Sequence, residues 1–334
     1  MHRSLVTVPA AAALSMLYAR MAASLVGPGL CRLLALAPVL ALLLVLPLAS
    51  PLYSARGFAA FTLAWLGEFK LLLLASGRGP LDPALPPVQF VFTGALPVKL
   101  RIHKGGPDDH AAAEEEPLLL SSLSTRFAVT VALLHVLRGG KDRMHPYMAS
   151  AIYDILTYCG LNFVLPCIAA AGRALGMDLE PQFDRPYLSA SLQNFWGRRW
   201  NTMASAVLRA AVYDPVRARV GTYVGVLATF LVSGLMHEVV AYYITFRAPT
   251  GQLTAFFLLH GASVCAEKWC ARRRPAGARP PRVLATPLVL GFVAATAFWL
   301  FFPPLFGDGM DDRYIAEIMA LLSSVVDAMP GLAR

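Results

Sequence analysis

The residues best suited to chemistry lie in two places, a polar and aromatic segment at 191–201 and a histidine inside a long apolar run. The segment reads Ser-Leu-Gln-Asn-Phe-Trp-Gly-Arg-Arg-Trp-Asn, and His237 lies within the apolar residues 220–246. A segment so rich in tryptophan and arginine is typical of a membrane surface rather than of a spanning helix. A histidine within an apolar run indicates a functional site, because polar groups at that depth are costly.

The imidazole of His237 is suited to act as a general base towards an alcohol, since a neutral imidazole readily takes a proton. The HExxH motif of zinc proteases is absent, because Ala241 stands where the second histidine would be. The spacing of His260, Cys265 and Cys270 is not a zinc pattern either, so no metal site is predicted. The alternative for His237 is a histidine that is hydrogen-bonded between helices and has no catalytic role.

The polar segment offers groups that suit an acyl-CoA thioester. Arg198 and Arg199 suit phosphate groups, because a guanidinium forms bidentate hydrogen bonds with them. Asn201 offers an amide donor that could polarise a thioester carbonyl as negative charge develops on its oxygen. The alternative is an amphipathic interfacial helix that is anchored in the membrane by Trp196 and Trp200.

A second histidine is predicted close to the first. Residues 220–246 and 253–269 are joined by six residues, so the two helices are expected to form an antiparallel hairpin. At about 1.5 Å per residue, His237 and His260 both lie about 10–14 Å from the turn. Both could therefore line one cavity, and His260 is predicted to contact a substrate.

Composition indicates an integral membrane protein of many spans. Of the 334 residues, 57% are hydrophobic and only 15% are charged, whereas soluble domains carry about 25% charged residues. The net charge of +9 does not indicate nucleic-acid binding, because the basic residues fall in short loops between apolar runs. One domain is predicted over residues 1–334, with a solvated loop at 103–124 and a tail at 307–334.

The apolar runs predict an all-α transmembrane bundle. About 20 apolar residues are needed to cross the hydrocarbon, and seven runs have about that length: 5–26, 33–53, 57–76, 147–171, 220–246, 253–269 and 283–302. Two shorter runs, 88–100 and 126–137, are predicted either to extend into spans or to re-enter the membrane. The prediction is therefore a bundle of about seven to nine membrane segments.

Charge predicts an orientation. The arginine-rich stretches 172–219 and 270–282 are predicted to face the cytosol, which places the connector 247–252 and the acidic tail in the lumen. The basic loop 139–145 agrees with this only if residues 126–137 re-enter. No internal repeat is visible, which weighs against a transporter.

Several motifs together resemble the plant wax synthase family, the long-chain-alcohol O-fatty-acyltransferases related to the membrane-bound O-acyltransferases. The motifs that carry the resemblance are residues 69–73, 78–81, 191–201, 208–209, 212–216, 233–238 and 257–261. The resemblance covers nearly the whole chain. One departure is Asn194, where many members carry an acidic residue.

The resemblance implies transfer of a fatty acyl group from acyl-CoA to a long-chain alcohol, which forms a wax ester in the endoplasmic reticulum membrane. His237 would be the base and Asn201 the partner of the carbonyl, while the donor side would be shaped by Trp196, Arg198, Arg199 and Trp200. Acyl-CoA, the alcohol and membrane lipids would be the partners, without nucleic acid, and acyl-CoA would be a co-substrate with no cofactor needed; the sequence does not give the oligomeric state. The open alternatives are a sterol or diacylglycerol acceptor, a proton-coupled transporter that uses both histidines, and a structural membrane protein.

Overall fold

A computed structural model describes residues 2–101, 116–273, 280–307 and 309–328, and most of these residues are helical. Within these ranges the only extended pairing is an isolated bridge between Leu100 and Leu179, so the prediction of an all-α fold is confirmed. Contacts divide the chain into two compact units, residues 1–99 with 182–310 and residues 100–181 with 311–334. The prediction of a single domain stays a prediction.

The described residues form twelve main helices. They are α1 His2–Leu25, α2 Leu30–Val45, α3 Tyr53–Ala75, α4 Pro87–Ala95, α5 Glu116–Gly140, α6 Pro146–Ala174, α7 Thr202–Leu208, α8 Asp214–Val220, α9 Thr222–Thr245, α10 Gln252–Arg273, α11 Arg282–Phe301 and α12 Met310–Ala328.

Six helices in the described ranges are long and apolar enough to cross a membrane: α1, α2, α3, α6, α9 and α11, with α2 counted to Ala49 through a short 3₁₀ turn. Each coincides with a run predicted from the sequence, and the protein is an integral membrane protein. The seventh predicted run forms α10, which has 22 residues but carries Glu267, Lys268 and two arginines in its last turns. The predicted count of seven to nine segments is therefore approximate.

The two shorter runs differ from each other in the structure. The run 126–137 is part of α5, whose 25 residues are enough to cross about 30 Å of hydrocarbon at about 1.5 Å per residue. The run 88–100 forms only α4, which ends at Ala95 because Leu96 precedes a proline and adopts an extended conformation. The orientation across the membrane stays a prediction.

The predicted loop 103–124 and tail 307–334 need correction. Residues 103–115 lie outside the described residues, but residues 116–124 are the start of α5 rather than loop. Most of the tail forms α12, and Lys141 Nζ lies 2.8 Å from Asp311 Oδ2 and 2.6 Å from Asp312 Oδ1. Burial opposes the charged form of Asp311, but hydrogen bonds from Lys141 and Tyr153 hold the pKa of this carboxyl below its ordinary value.

The predicted hairpin is formed by α9 and α10, and two glycines let its helices approach closely. A Cβ added at Gly234 would lie 2.7 Å from Thr254 Cα, and one at Gly261 would lie 2.9 Å from Phe230 Cβ. From Thr254 to Gly261 along α10 the contacted position falls from Gly234 to Phe230 along α9, which is the order of antiparallel helices. The hairpin brings His237 and His260 into one region of the first unit.

Candidate active site

The described residues contain four π-helical segments, at Ala60–Gly67, Phe195–Arg199, Arg209–Tyr213 and Ala297–Phe301. Such turns are rare in proteins as a whole, and those that occur are often found at functional sites. Three of the four supply a ring that contacts one of the two histidines. These rings are Trp65 and Phe301 against His237, and Trp196 against His260.

His237 lies among aromatic rings with one nitrogen left for chemistry. Its ring centroid is 4.2 Å from that of Phe257 and 4.8 Å from that of Trp65. Its Nδ1 lies 2.7 Å from the Ser233 carbonyl oxygen, which can only accept, so Nδ1 carries the hydrogen. In the neutral ring the lone pair is therefore on Nε2, and the half-buried side chain can act as a base.

His260 is fully buried and uses both ring nitrogens. Trp196 Nε1 donates to its Nδ1 over 3.0 Å. Its Nε2 lies 2.9 Å from Thr296 Oγ1, and that hydroxyl already donates to the Phe292 carbonyl, so Nε2 is the donor. No free nitrogen remains for a substrate, and the geometry fits His260 as a positioning residue for Trp196. Substrate contact by His260 stays a prediction.

The aromatic segment is attached to α10 at two points. Besides the bond to His260, the carboxylate of Glu267 accepts from the backbone N–H groups of Leu192 and Gln193 at 2.8 and 3.0 Å. At about 1.5 Å per residue the two attachments are about 10 Å apart along the helix. The ring of Trp196 is 5.6 Å from Phe257, so the segment reaches the cluster around His237. The ring of Trp200 stacks on Phe195 at 5.4 Å.

The two predicted phosphate-binding arginines have different environments. Arg199 Nε donates to Asn194 Oδ1 at 2.8 Å, and its Nη1 donates to the carbonyls of Asp184 and Arg185 at 2.9 and 3.0 Å. Arg198 is exposed, and the described residues offer its guanidinium no hydrogen bond. Arg199 therefore holds the loop before the segment, while Arg198 remains available to a ligand.

Asn201 begins α7 in the left-handed conformation, with φ of 45°, which asparagine tolerates better than most residues. Its Oδ1 accepts from the Ala204 N–H at 3.0 Å and caps the helix. This bond fixes the amide plane, and among the described residues Nδ2 has no acceptor. The Nδ2 group, which is the predicted donor, is therefore available to a substrate. The capping role of Oδ1 was not predicted from the sequence.

The different environments of the arginines lead to a kinetic prediction. Arg198→Gln is expected to raise the KM for acyl-CoA several-fold and to leave the KM for the alcohol unchanged, with a larger effect at low ionic strength, where charges are less screened. Arg199→Gln is expected mainly to lower the melting temperature, because it removes hydrogen bonds to Asn194 and to two carbonyls. Kinetics with each substrate varied in turn, together with thermal unfolding, check both. An unchanged acyl-CoA KM in Arg198→Gln would show that Arg198 does not bind the donor.

Within the described ranges, no group of three or more histidine, cysteine, aspartate or glutamate residues could hold a metal ion. The absence of a cofactor stays a prediction. The structure places the imidazole of His237 among aromatic rings, and the polar segment that includes the Arg198 guanidinium and is followed by the Asn201 amide reaches this cluster through Trp196. These groups suit acyl transfer to a lipid.

Comparison with known proteins identifies the class and then the family. Residues 179–259 match the model of the membrane bound O-acyl transferase family. Probable long-chain-alcohol O-fatty-acyltransferase 1 of Arabidopsis thaliana is 36% identical over 331 residues, 96% of each chain. Long-chain-alcohol O-fatty-acyltransferase of Simmondsia chinensis is 36% identical over 91% of this chain and 90% of its own. The chain belongs to the long-chain-alcohol O-fatty-acyltransferase family, as its motifs predicted.

Proposed function

We propose that this protein transfers a fatty acyl group from acyl-CoA to a long-chain alcohol and so forms a wax ester in the endoplasmic reticulum membrane. One observation carries the proposal: the bond from His237 Nδ1 to the Ser233 carbonyl, 2.7 Å long, leaves Nε2 as a proton acceptor among aromatic rings. The names of the relatives from Arabidopsis and Simmondsia support a long-chain alcohol as the acceptor and a fatty acyl group as the group transferred.

In the proposed reaction His237 Nε2 takes the hydroxyl proton as the alcohol oxygen attacks the thioester carbonyl carbon. Negative charge then develops on the carbonyl oxygen, where the free Nδ2 of Asn201 donates a hydrogen bond. The intermediate collapses, the C–S bond breaks, and the thiolate of CoA takes the proton back from the imidazolium. The thioester is already activated, so the step requires no cofactor. The surrounding rings exclude water, which would otherwise compete with the alcohol.

The donor is proposed to reach this site past the aromatic segment. Acyl-CoA has a phosphate-bearing head that stays in water and an acyl chain that enters hydrocarbon. Arg198 is exposed and is flanked by Trp196 and Trp200, whose rings are 6.5 Å apart. Such a group of an exposed cation and aromatic rings suits a molecule with these two halves, and charge counting predicts that it faces the cytosol.

The proposal is tested with microsomes from a host that makes no wax esters. Expressed wild-type protein, supplied with labelled acyl-CoA and a long-chain alcohol, is expected to form labelled ester, and vector-only microsomes provide the background. Ester formation only with a sterol or with diacylglycerol would show that this lipid, and not a long-chain alcohol, is the acceptor. No ester with any acceptor, from protein that is folded and in the membrane, would favour the transporter or structural alternatives.

A sterol acceptor is the second candidate because of a specific similarity. Acyl-CoA–sterol O-acyltransferase 1 of Arabidopsis thaliana is 32% identical over 327 residues, 94% of each chain. The same groups would serve either alcohol, since His237 and Asn201 act on the hydroxyl and the thioester rather than on the rest of the acceptor. Direct competition between a labelled fatty alcohol and a labelled sterol decides which is preferred.

A further inference from the structure

A second feature of the first unit is a cavity of about 390 Å³ at the turn between α9 and α10. One wall is a face of α9 that includes Glu238 and Ala241, and the opposite wall includes Pro303 and Pro304 beyond α11. Its volume falls in the range of small-molecule sites, roughly 300–1,000 Å³. The mechanism described above does not use this cavity.

The polar group of interest in the cavity is the carboxylate of Glu238, whose side chain is only 5% exposed. Oε1 accepts from the backbone N–H of Thr254 at 3.2 Å, at the first turn of α10, where helix N–H groups favour a negative charge. Among the described residues no donor contacts Oε2. Glu238 lines the cavity, and its Oε2 is not completely enclosed by protein atoms. A ligand that carries a hydrogen-bond donor could therefore reach this oxygen.

The walls around this carboxylate indicate what kind of donor would fit. Alanine and proline side chains supply most of the apolar lining, together with the ring of Tyr242. The polar part of the lining consists of Glu238, Thr245, Thr250, Gln252 and Arg247, whose Nη1 donates to the Gly307 carbonyl over 3.0 Å. The apolar part suits methylene groups, and the polar part suits a small polar group at their end. A hydroxyl at the end of an alkyl chain matches both the carboxylate and the walls.

The cavity adjoins the region of His237 without including it. Ala241 lies one helical turn beyond His237 on α9 and lines the cavity. On the other wall, Pro303 follows by two positions Phe301, whose ring is 5.9 Å from that of His237. Along α10 the cavity at Gln252 and the attachment of the aromatic segment at Glu267 are about 22 Å apart, at about 1.5 Å per residue.

We propose that this cavity binds the hydroxyl end of the acceptor alcohol before transfer, with Glu238 Oε2 accepting a hydrogen bond from the hydroxyl. The proposal rests on the proposed acyltransferase function and assigns the acceptor to the start of α10, whereas the aromatic segment is attached further along this helix, at His260 and Glu267. Donor and acceptor then bind at different places and do not compete for one route.

Kinetics test the role of Glu238. Glu238→Gln keeps an oxygen that accepts from Thr254 but presents an amide N–H₂ group to the cavity, so it is expected to raise the KM for the alcohol about tenfold and to leave that for acyl-CoA unchanged. Ala248→Trp is expected to raise the alcohol KM as well, because Ala248 is an exposed residue of the cavity wall and a bulky ring there would narrow the cavity. Ala262→Trp, at an exposed position of α10 outside the cavity, is the matched control and should behave as wild type. Unchanged alcohol KM values in both cavity variants would overturn the proposal.

A binding measurement separates this proposal from the acyltransferase function. In Ala248→Cys combined with His237→Ala, which does not turn over, hexadecanol is expected to slow alkylation at position 248, while hexadecane is not. Exposed Cys31, outside the cavity, should be alkylated at one rate throughout. Adding Glu238→Gln should remove the protection. Protection without ester formation by wild type would overturn only the enzymatic function, whereas ester formation without protection, or equal protection by hexadecane, would overturn the cavity proposal.

Discussion

His237→Gln is expected to lower the rate of ester formation by about 10²–10⁴ while the protein stays folded in the membrane. The glutamine amide can still donate to the Ser233 carbonyl, which His237 Nδ1 contacts at 2.7 Å, but it cannot take a proton from the alcohol. Both KM values should change little, because the imidazole acts in the transition state rather than in binding. Initial rates in microsomes, normalised to the amount of protein, measure the effect.

His260→Gln is the matched control for this prediction. His260 lies in an equally apolar environment, but its ring accepts a hydrogen bond from Trp196 and is expected to position that ring rather than to transfer a proton. Its rate loss should be smaller and should be accompanied by a lower melting temperature. Near wild-type turnover in His237→Gln, with loss of activity in stable His260→Gln, would transfer the role of base to His260.

Asn201→Asp is expected to lower the rate by about 10²–10³, the usual effect of removing one donor to an oxyanion. The aspartate keeps an oxygen that accepts from the Ala204 N–H, as Asn201 Oδ1 does at 3.0 Å, and it also tolerates a positive φ. The fold should therefore be as stable as wild type. The rate falls because the variant has no N–H₂ group to donate to the thioester oxygen, and because the negative charge of aspartate repels the negative charge that develops on that oxygen.

Two other variants separate capping from catalysis. Asn201→Ala removes both the cap and the donor, so it should lose activity and also about 1 kcal/mol of stability. Ser191→Ala removes a comparable cap, since Ser191 Oγ accepts from the Asn194 N–H at 3.0 Å, but leaves Asn201 intact. It should lose stability and keep most of its activity. An Asn201→Asp protein that turns over like wild type would exclude Asn201 as the oxyanion partner.

The sequence predicted those features that depend on local pattern. Runs of about 20 apolar residues predicted all six of the long apolar helices, and the six-residue connector predicted the α9–α10 hairpin. The position of His237 in such a run marked it as a candidate. The cap by Asn201 also has a local signal, an asparagine directly before a helical run.

Features that depend on distant partners were not predictable in this way. The structural role of His260 requires Thr296, and that of Arg199 requires the carbonyls of residues 184 and 185. These contacts form only when separate helices and loops pack together. The start of α5 was missed for another reason: three glutamates at 114–116 suggested solvent, although three leucines follow them directly.

Three of the π-helical segments, those with Trp65, Trp196 and Phe301, make the number of residues as important as their identity. Each such turn contains one residue more than an α-helical turn, and it rotates everything beyond it by about 100° relative to an unbroken helix. Ala297–Phe301, for example, sets the direction in which Phe301 points. A one-codon deletion inside one of these segments would therefore turn Trp65, Trp196 or Phe301 away from the histidine that it contacts. Selection on this protein should act against changes of length inside these segments as well as against changes of these side chains.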